Sequence, residues 1–206
     1  MSQIYHEKQS LSLCALHAVN NLLQQPAFTK TDFDQISNEI TKTTLQTLDP
    51  NVNSQPNFIS ENIYSEQKSF LGHYDINVIT KALQSKGYKL RWHDSRINFA
   101  QTVLKILENN DDDDQDTQRS NQKSTNLTNF DALLINIRSR WTFMPLVKTN
   151  HWVTVISKKG DPSSFKYYYI DSKLPEVEEF IDLKDLCSSQ LLDNENIVQI
   201  IFVDEI

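Results

Sequence analysis

Four residues of types that cooperate in nucleophilic chemistry are spread along the chain: Gln9, Cys14, His151 and Asp171. Cys14 lies in the first turn of a predicted helix whose N-cap is expected at Ser12. Unpaired N–H groups and the positive end of the helix dipole favour the thiolate there, and the thiolate is the nucleophilic form of cysteine. Cys14 is therefore a candidate nucleophile; the alternative is a small buried apolar side chain, the usual state of a free cysteine.

His151 and Asp171 could supply the base and the orienting group that a nucleophilic cysteine needs. They lie on two strand-like segments, 151–156 and 165–171, joined by a polar turn. If the two strands pair symmetrically about Asp161, His151 lies opposite Asp171 on the same face. A one-residue slip would separate them, and the alternative interpretation is a structural His–Asp contact at a strand end.

Gln9 precedes Cys14 by five residues, so its side-chain amide could donate to an oxyanion together with the Cys14 backbone N–H. His17 shares a helix face with Cys14, but both stand on one rigid backbone, so it is a weaker base than His151. Cys187 lies near the end of a predicted helix and is interpreted as structural.

Metal chemistry is a weak alternative. The remaining histidines, at positions 6, 73 and 93, lack the i, i+4 spacing of a zinc site, and the acidic run at 111–116 lacks the glycine and terminal glutamate of a calcium loop. We expect no metal and no cofactor.

The elements that must position these residues follow an order of helices first and strands afterwards. Helices are predicted after Ser12, after Thr31-Asp32, over 76–86 with a stop at Gly87, and over 99–107. Strands are predicted at 88–92, 132–137, 151–156, 165–171 and 197–203, and Pro175 is expected to open a last helix through Phe180 to Leu186. This order predicts an α+β domain with an antiparallel sheet.

Two polar stretches interrupt the pattern. Residues 109–129 contain one aliphatic side chain, Leu127, so they are predicted to form a solvated, disordered insertion within a single domain of residues 1–206. Residues 48–68 are rich in proline and asparagine and are predicted to form an arm or loop.

Composition excludes several functional classes. A net charge of −7 argues against a nucleic-acid binder, and three glycines cannot build a glycine-rich phosphate loop. Two cysteines cannot form a disulfide scaffold, and no apolar window is long enough to span a membrane. The start of the chain does not resemble a signal peptide, so we expect a cytoplasmic location, extending to the nucleus.

The segment from Ile4 to Gln24, with Gln9 and Cys14-Ala15-Leu16-His17 inside it, closely resembles the start of Josephin domains, a family of papain-like deubiquitinating enzymes. The resemblance continues at 74–79, 151–155 and 169–174, and so covers nearly the whole chain in order. The sequence Asp171-Ser172-Lys173-Leu174 is similar to that of the small Josephin-like members.

The resemblance implies a papain-like cysteine-protease fold in which an N-terminal helical part packs on the antiparallel sheet. It implies Cys14 as nucleophile, His151 as general base and acid, Asp171 as third member and Gln9 as oxyanion donor. The implied partners are ubiquitin or polyubiquitin conjugates. An acyltransferase with the same residues and a non-catalytic ubiquitin-binding module are the alternatives. In this family the counterpart of residues 48–68 is a helical hairpin beside the cleft. The sequence does not determine whether this arm gates access to the cleft.

Overall fold

The computed structural model describes residues 3–10, 12–48, 74–111, 130–141, 144–159, 165–192 and 196–205. Within these ranges the elements, in chain order, are α1 Cys14–Leu22, α2 Lys30–Leu48, α3 Ile76–Ser85, β1 Tyr88–Trp92, α4 Phe99–Asp111, β2 Ala132–Trp141, β3 Met144–Lys159, β4 Phe165–Ile170, β5 Glu178–Phe180, α5 Leu183–Leu186, a π-helical turn Cys187–Leu191, and β6 Ile197–Glu205. Among the described helices, none combines the length and apolar character needed to cross a membrane.

The six strands form one antiparallel sheet in the order β1-β6-β2-β3-β4-β5. Neighbouring β2, β3 and β4 are also consecutive in the chain, whereas β6 is inserted between β1 and β2. Helices together with an antiparallel sheet confirm the predicted α+β class and agree with a papain-like fold.

The sheet has a hydrophobic core on each face, because alternate residues of β2 and β3 point to opposite sides. Leu134 and Trp152 pack with α1, α2 and α3 on one face. Leu133 and Val153 pack with α4, α5 and the π-helical turn on the other. Trp152 is buried in the first of these cores.

α1 is the central helix of the first core, and all nine of its residues are buried. The hydroxyl group of Thr154 on β3 donates a hydrogen bond to the carbonyl oxygen of Ala18 at 2.8 Å. This contact fixes α1 along β3, and α1 begins with Cys14.

The start and end of α3 are formed as the sequence predicts. The Asp75 carboxylate accepts hydrogen bonds from the N–H groups of Asn77 and Val78, as an N-cap does. Gly87 follows the C-cap with φ of +85°, a conformation that glycine adopts without a Cβ penalty. β1 starts directly after it.

The prediction of a helix from Pro175 to Leu186 is wrong. Residues Glu178–Phe180 pair as β5 with Tyr167–Tyr169 of β4, and the helix is only Leu183–Leu186. The outer edge of β4 has backbone groups that need hydrogen-bond partners, and Phe180 is buried where it pairs with this edge. Sheet pairing therefore prevails over the helical periodicity of this segment.

Two further predictions concern the polar stretches. α4 extends to Asp111, three residues into the segment expected to be an insertion, and residues 112–129 lie outside the described part of the chain. Residues 49–68 of the predicted arm lie outside it too, while Leu48 ends α2. The single-domain organisation therefore stays a prediction.

Candidate active site

Cys14 is the first residue of α1, as its predicted position requires, but the predicted cap is wrong. Leu13, not Ser12, occupies the N-cap position, and no side chain caps the helix. The N–H groups of the first helical turn have no acceptor within the helix, so the Cys14 thiol lies at the positive end of the helix dipole. Cys14 is buried, with 6% of its surface exposed.

The Cys14 sulfur lies at an open edge of β3. β4 pairs with β3 only as far as Thr154 opposite Ile170, so β3 continues beyond its neighbour. Alternate residues of an antiparallel strand turn their backbone groups to the same side, and here Asn150 and Trp152 face the unpaired edge. The sulfur lies 4.0 Å from the Asn150 carbonyl oxygen, and the Trp152 N–H donates a hydrogen bond to it. Cys14 thus takes the place that the next residues of β4 would occupy.

His151 and Asp171 are in direct contact: the His151 Nε2 lies 2.6 Å from the Asp171 Oδ1. The predicted register is nevertheless wrong by two residues, since Val155 pairs with Tyr169 rather than Tyr167. A shift of two leaves every side chain on its predicted face, so the two residues meet diagonally instead of directly opposite.

The second ring nitrogen of His151, Nδ1, is buried and has no nitrogen or oxygen partner within the described ranges. The His151 side chain also interacts with Cys14, which lies against its own strand. The geometry therefore places Asp171 at one ring nitrogen and leaves the other for the thiol.

The charges of these three groups support one another. Burial raises the pKa of the Cys14 thiol, but the interactions with His151 and the Trp152 N–H outweigh it, so the pKa is lowered. Burial also lowers the pKa of His151, yet its bonds to Asp171 and Cys14 raise the pKa overall. Burial raises the pKa of Asp171, but His151 and the Lys173 N–H, 2.8 Å from Oδ1, outweigh this effect and lower the pKa overall. The lowered pKa of Cys14 and the raised pKa of His151 favour a thiolate–imidazolium pair.

Gln9 is joined to the segment that follows Asp171. Its backbone N–H donates to the Ser172 carbonyl oxygen at 2.7 Å, and the Ser172 hydroxyl lies 3.4 Å from the Gln9 Oε1. His6 Nε2 donates to the Asp171 carbonyl oxygen at 3.1 Å. The segment before α1 is therefore held beside the His151–Asp171 pair.

Sequence reasoning missed the pairing of Glu7 with His17. A carboxylate oxygen of Glu7 lies 2.6 Å from the Nδ1 of His17. A signal was present: His17, Asn20 and Asn21 lie on a helix that is otherwise apolar, and buried polar groups need partners. The partner comes from the segment before the helix, which has no pattern of its own.

Cys187 shows none of these features. It is fully buried, and burial raises its pKa to about 12. In the described ranges, no group of three or more His, Cys, Asp or Glu side chains is arranged to hold a metal ion. Residues 112–116 of the acidic run lie outside those ranges.

Comparisons with known proteins identify the family of this chain. The family model described as Josephin matches residues 9–203. A Josephin-like protein of Arabidopsis thaliana is 31% identical over 182 residues, which cover 88% of this chain and 42% of that protein. Human Josephin-2 is 29% identical over 184 residues, 87% of this chain and 73% of that protein. An ataxin-3 homolog of Caenorhabditis briggsae is 26% identical over 174 residues, 84% of this chain and 45% of that protein. The chain thus spans less than half of the Arabidopsis relative, and it belongs to the Josephin family.

Proposed function

We propose that this chain is a deubiquitinating cysteine protease that hydrolyses peptide or isopeptide bonds at the C-terminus of ubiquitin. Membership of the Josephin family supports a ubiquitin-related cysteine protease function. The observation that carries the proposal is the His151 ring, which contacts Asp171 at 2.6 Å and interacts with a buried Cys14 whose pKa is lowered.

In the first half of the reaction, the Cys14 thiolate attacks the carbonyl carbon of the terminal glycine of ubiquitin. A C–S bond forms, and the carbonyl electron pair moves to oxygen. The oxyanion accepts hydrogen bonds from the Gln9 side chain and the Cys14 N–H. When the intermediate collapses, the C–N bond breaks, and the leaving amine takes the proton that His151 carries on Nδ1.

In the second half, neutral His151 takes a proton from water as the water attacks the thioester. The new tetrahedral intermediate expels the Cys14 thiolate and leaves a carboxylic acid at the C-terminus of ubiquitin, which releases its proton to solvent and becomes the carboxylate. Asp171 keeps its bond to Nε2 throughout, so the same ring nitrogen faces the thiol in both halves. No step requires a cofactor, and the substrates are ubiquitin or polyubiquitin conjugates.

The test is labelling by a ubiquitin that carries an electrophile at its C-terminus. We expect one covalent adduct on Cys14, no adduct with Cys14→Ala, and normal labelling of Cys187→Ala, the matched control. A non-catalytic ubiquitin-binding module would show no selectivity for Cys14. Removal of a covalent nucleophile costs several orders of magnitude in rate, so a loss below about tenfold in Cys14→Ala contradicts the assignment.

A second measurement separates hydrolysis from acyl transfer. Products are analysed with and without an added amine acceptor. A hydrolase releases ubiquitin with a free carboxylate in both cases, whereas an acyltransferase joins ubiquitin to the amine.

A further inference from the structure

A buried hydrogen-bond network connects the segment before α1 to the helix itself. The Glu7 carboxylate contacts His17 Nδ1 at 2.6 Å and accepts from the Asn20 amide at 2.8 Å. The Glu7 backbone is fixed as well, since its N–H donates to the Asn21 Oδ1 at 2.6 Å and its carbonyl accepts from the Asn21 Nδ2. His17 is 4% exposed and the Glu7 side chain 24%, so these bonds are partly shielded from water.

The partners of His17 define which ring nitrogen is the donor and which is the acceptor. The Ser10 N–H is a donor and lies 3.1 Å from His17 Nε2, which must therefore accept with its lone pair. The ring proton is then on Nδ1, and it is donated to Glu7. His17 holds residue 7 with one nitrogen and residue 10 with the other.

Gln9 lies between these two attachment points. Its own N–H donates to the Ser172 carbonyl oxygen, so a third bond fixes it from the Asp171 side. His17 follows Cys14 by one helical turn and stands on the same helix. Gln9 is thus attached both to the nucleophile's helix and to the residue after Asp171.

We propose that Glu7 and His17 are positioning residues, which hold Gln9 where the oxyanion forms and take no part in proton transfer with Cys14. This inference rests on the proposed function and deepens it. An oxyanion donor acts only when it is already in place as charge develops. A loosened segment therefore reduces the stabilisation of the transition state more than it reduces substrate binding. The pair thus acts on kcat through Gln9.

Two conservative variants separate the two bonds of His17. In His17→Asn the amide nitrogen replaces Nδ1, so the donor to Glu7 is kept and the acceptor for the Ser10 N–H is lost. In His17→Gln the amide oxygen reaches the place of Nε2, so the acceptor for Ser10 is kept and the donor to Glu7 is lost. His93→Asn is the matched control, because His93 contacts the Phe99 and Phe202 rings and not the network.

The experiment measures kcat and KM on ubiquitin with a fluorogenic C-terminal amide, and the rate of Cys14 alkylation by iodoacetamide, which needs no oxyanion donor. We expect each His17 variant to lower kcat by about tenfold or more, with KM and the alkylation rate within about twofold of wild type. We also expect no further loss when either variant is combined with Gln9→Ala, since residues that act through one another are not additive.

Effects of His17 and Gln9 variants that multiply would overturn the proposal, as would a parallel loss of alkylation and turnover, which indicates a general structural role. If one His17 variant does not fold, the other carries the same comparison, and loss of folding in both contradicts a positioning role. The proposed function is tested separately, by whether the wild-type chain releases the fluorophore at all.

Discussion

Replacing Asp171 by asparagine and by alanine tests how the His151 ring is held. The Asp171 Oδ1 accepts from His151 Nε2 at 2.6 Å and from the Lys173 N–H at 2.8 Å. Asparagine keeps an oxygen in that place, so both bonds can remain, but without the negative charge. Alanine removes the acceptor from both donors.

The expected magnitudes follow from these two bonds. A hydrogen bond to a charged group is worth roughly 1.5–3 kcal/mol and a neutral one about 0.5–1.5 kcal/mol, a difference of about 1–1.5 kcal/mol or roughly tenfold in rate. Asp171→Asn is therefore expected to lose about tenfold. Asp171→Ala leaves the buried His151 N–H unsatisfied, at a cost of about 1–3 kcal/mol, and frees the ring to rotate. We expect about a hundredfold loss or more.

The pH profile of kcat/KM gives an independent measurement. Burial lowers the pKa of His151, and the bond to Asp171 is the first of the interactions that outweigh it. Without the carboxylate the imidazolium loses its proton more easily, so the alkaline limb moves to lower pH in Asp171→Asn. Asp131→Asn, at an exposed position, is the control and keeps the wild-type profile. Equal inactivity of folded Asn and Ala variants, or a limb that moves to higher pH, would refute this reasoning.

Three point substitutions and one segment replacement test the fold, with the free energy of unfolding measured in urea. Gly87→Ala should lower the unfolding free energy by about 1–2 kcal/mol, because φ is +85° while the space around a Cβ is open, so a loss of zero would contradict the backbone argument. Phe33→Ala should cost about 3–5 kcal/mol, since Phe33 is fully buried, and Ile181→Ala, at 75% exposure, should cost almost nothing. Replacing residues 112–129 by a short Gly/Ser linker should leave stability and turnover unchanged, and a loss of either would show that the polar segment packs or contacts substrate.

The sequence predicts the His151–Asp171 contact from strand pairing alone, although the register is wrong. The error of two residues has no effect on which face the side chains occupy, because strands repeat every two residues. Periodicity determines the face, whereas the exact register depends on the geometry of the turn, which composition does not specify.

The β5 strand and the Glu7–His17 pair could not be predicted for a different reason. Both depend on a partner outside the element that contains them: Phe180 on the edge of β4, and His17 on a segment without secondary structure. Local patterns carry no information on such partners. They indicate only that buried polar residues on α1 need them.

The central position of β6 has a consequence for how the chain folds. β1 ends at Trp92, but both β1 and β2 pair with β6, which begins at Ile197. During synthesis, more than a hundred residues must therefore be added after β1 before β6 is available to pair with it. Until then β2 also has an unpaired edge. Contacts between such distant segments make folding slow, and unpaired edges are the surfaces through which unfinished chains aggregate. We therefore expect newly made chains of this family member to depend on chaperones until β6 has emerged.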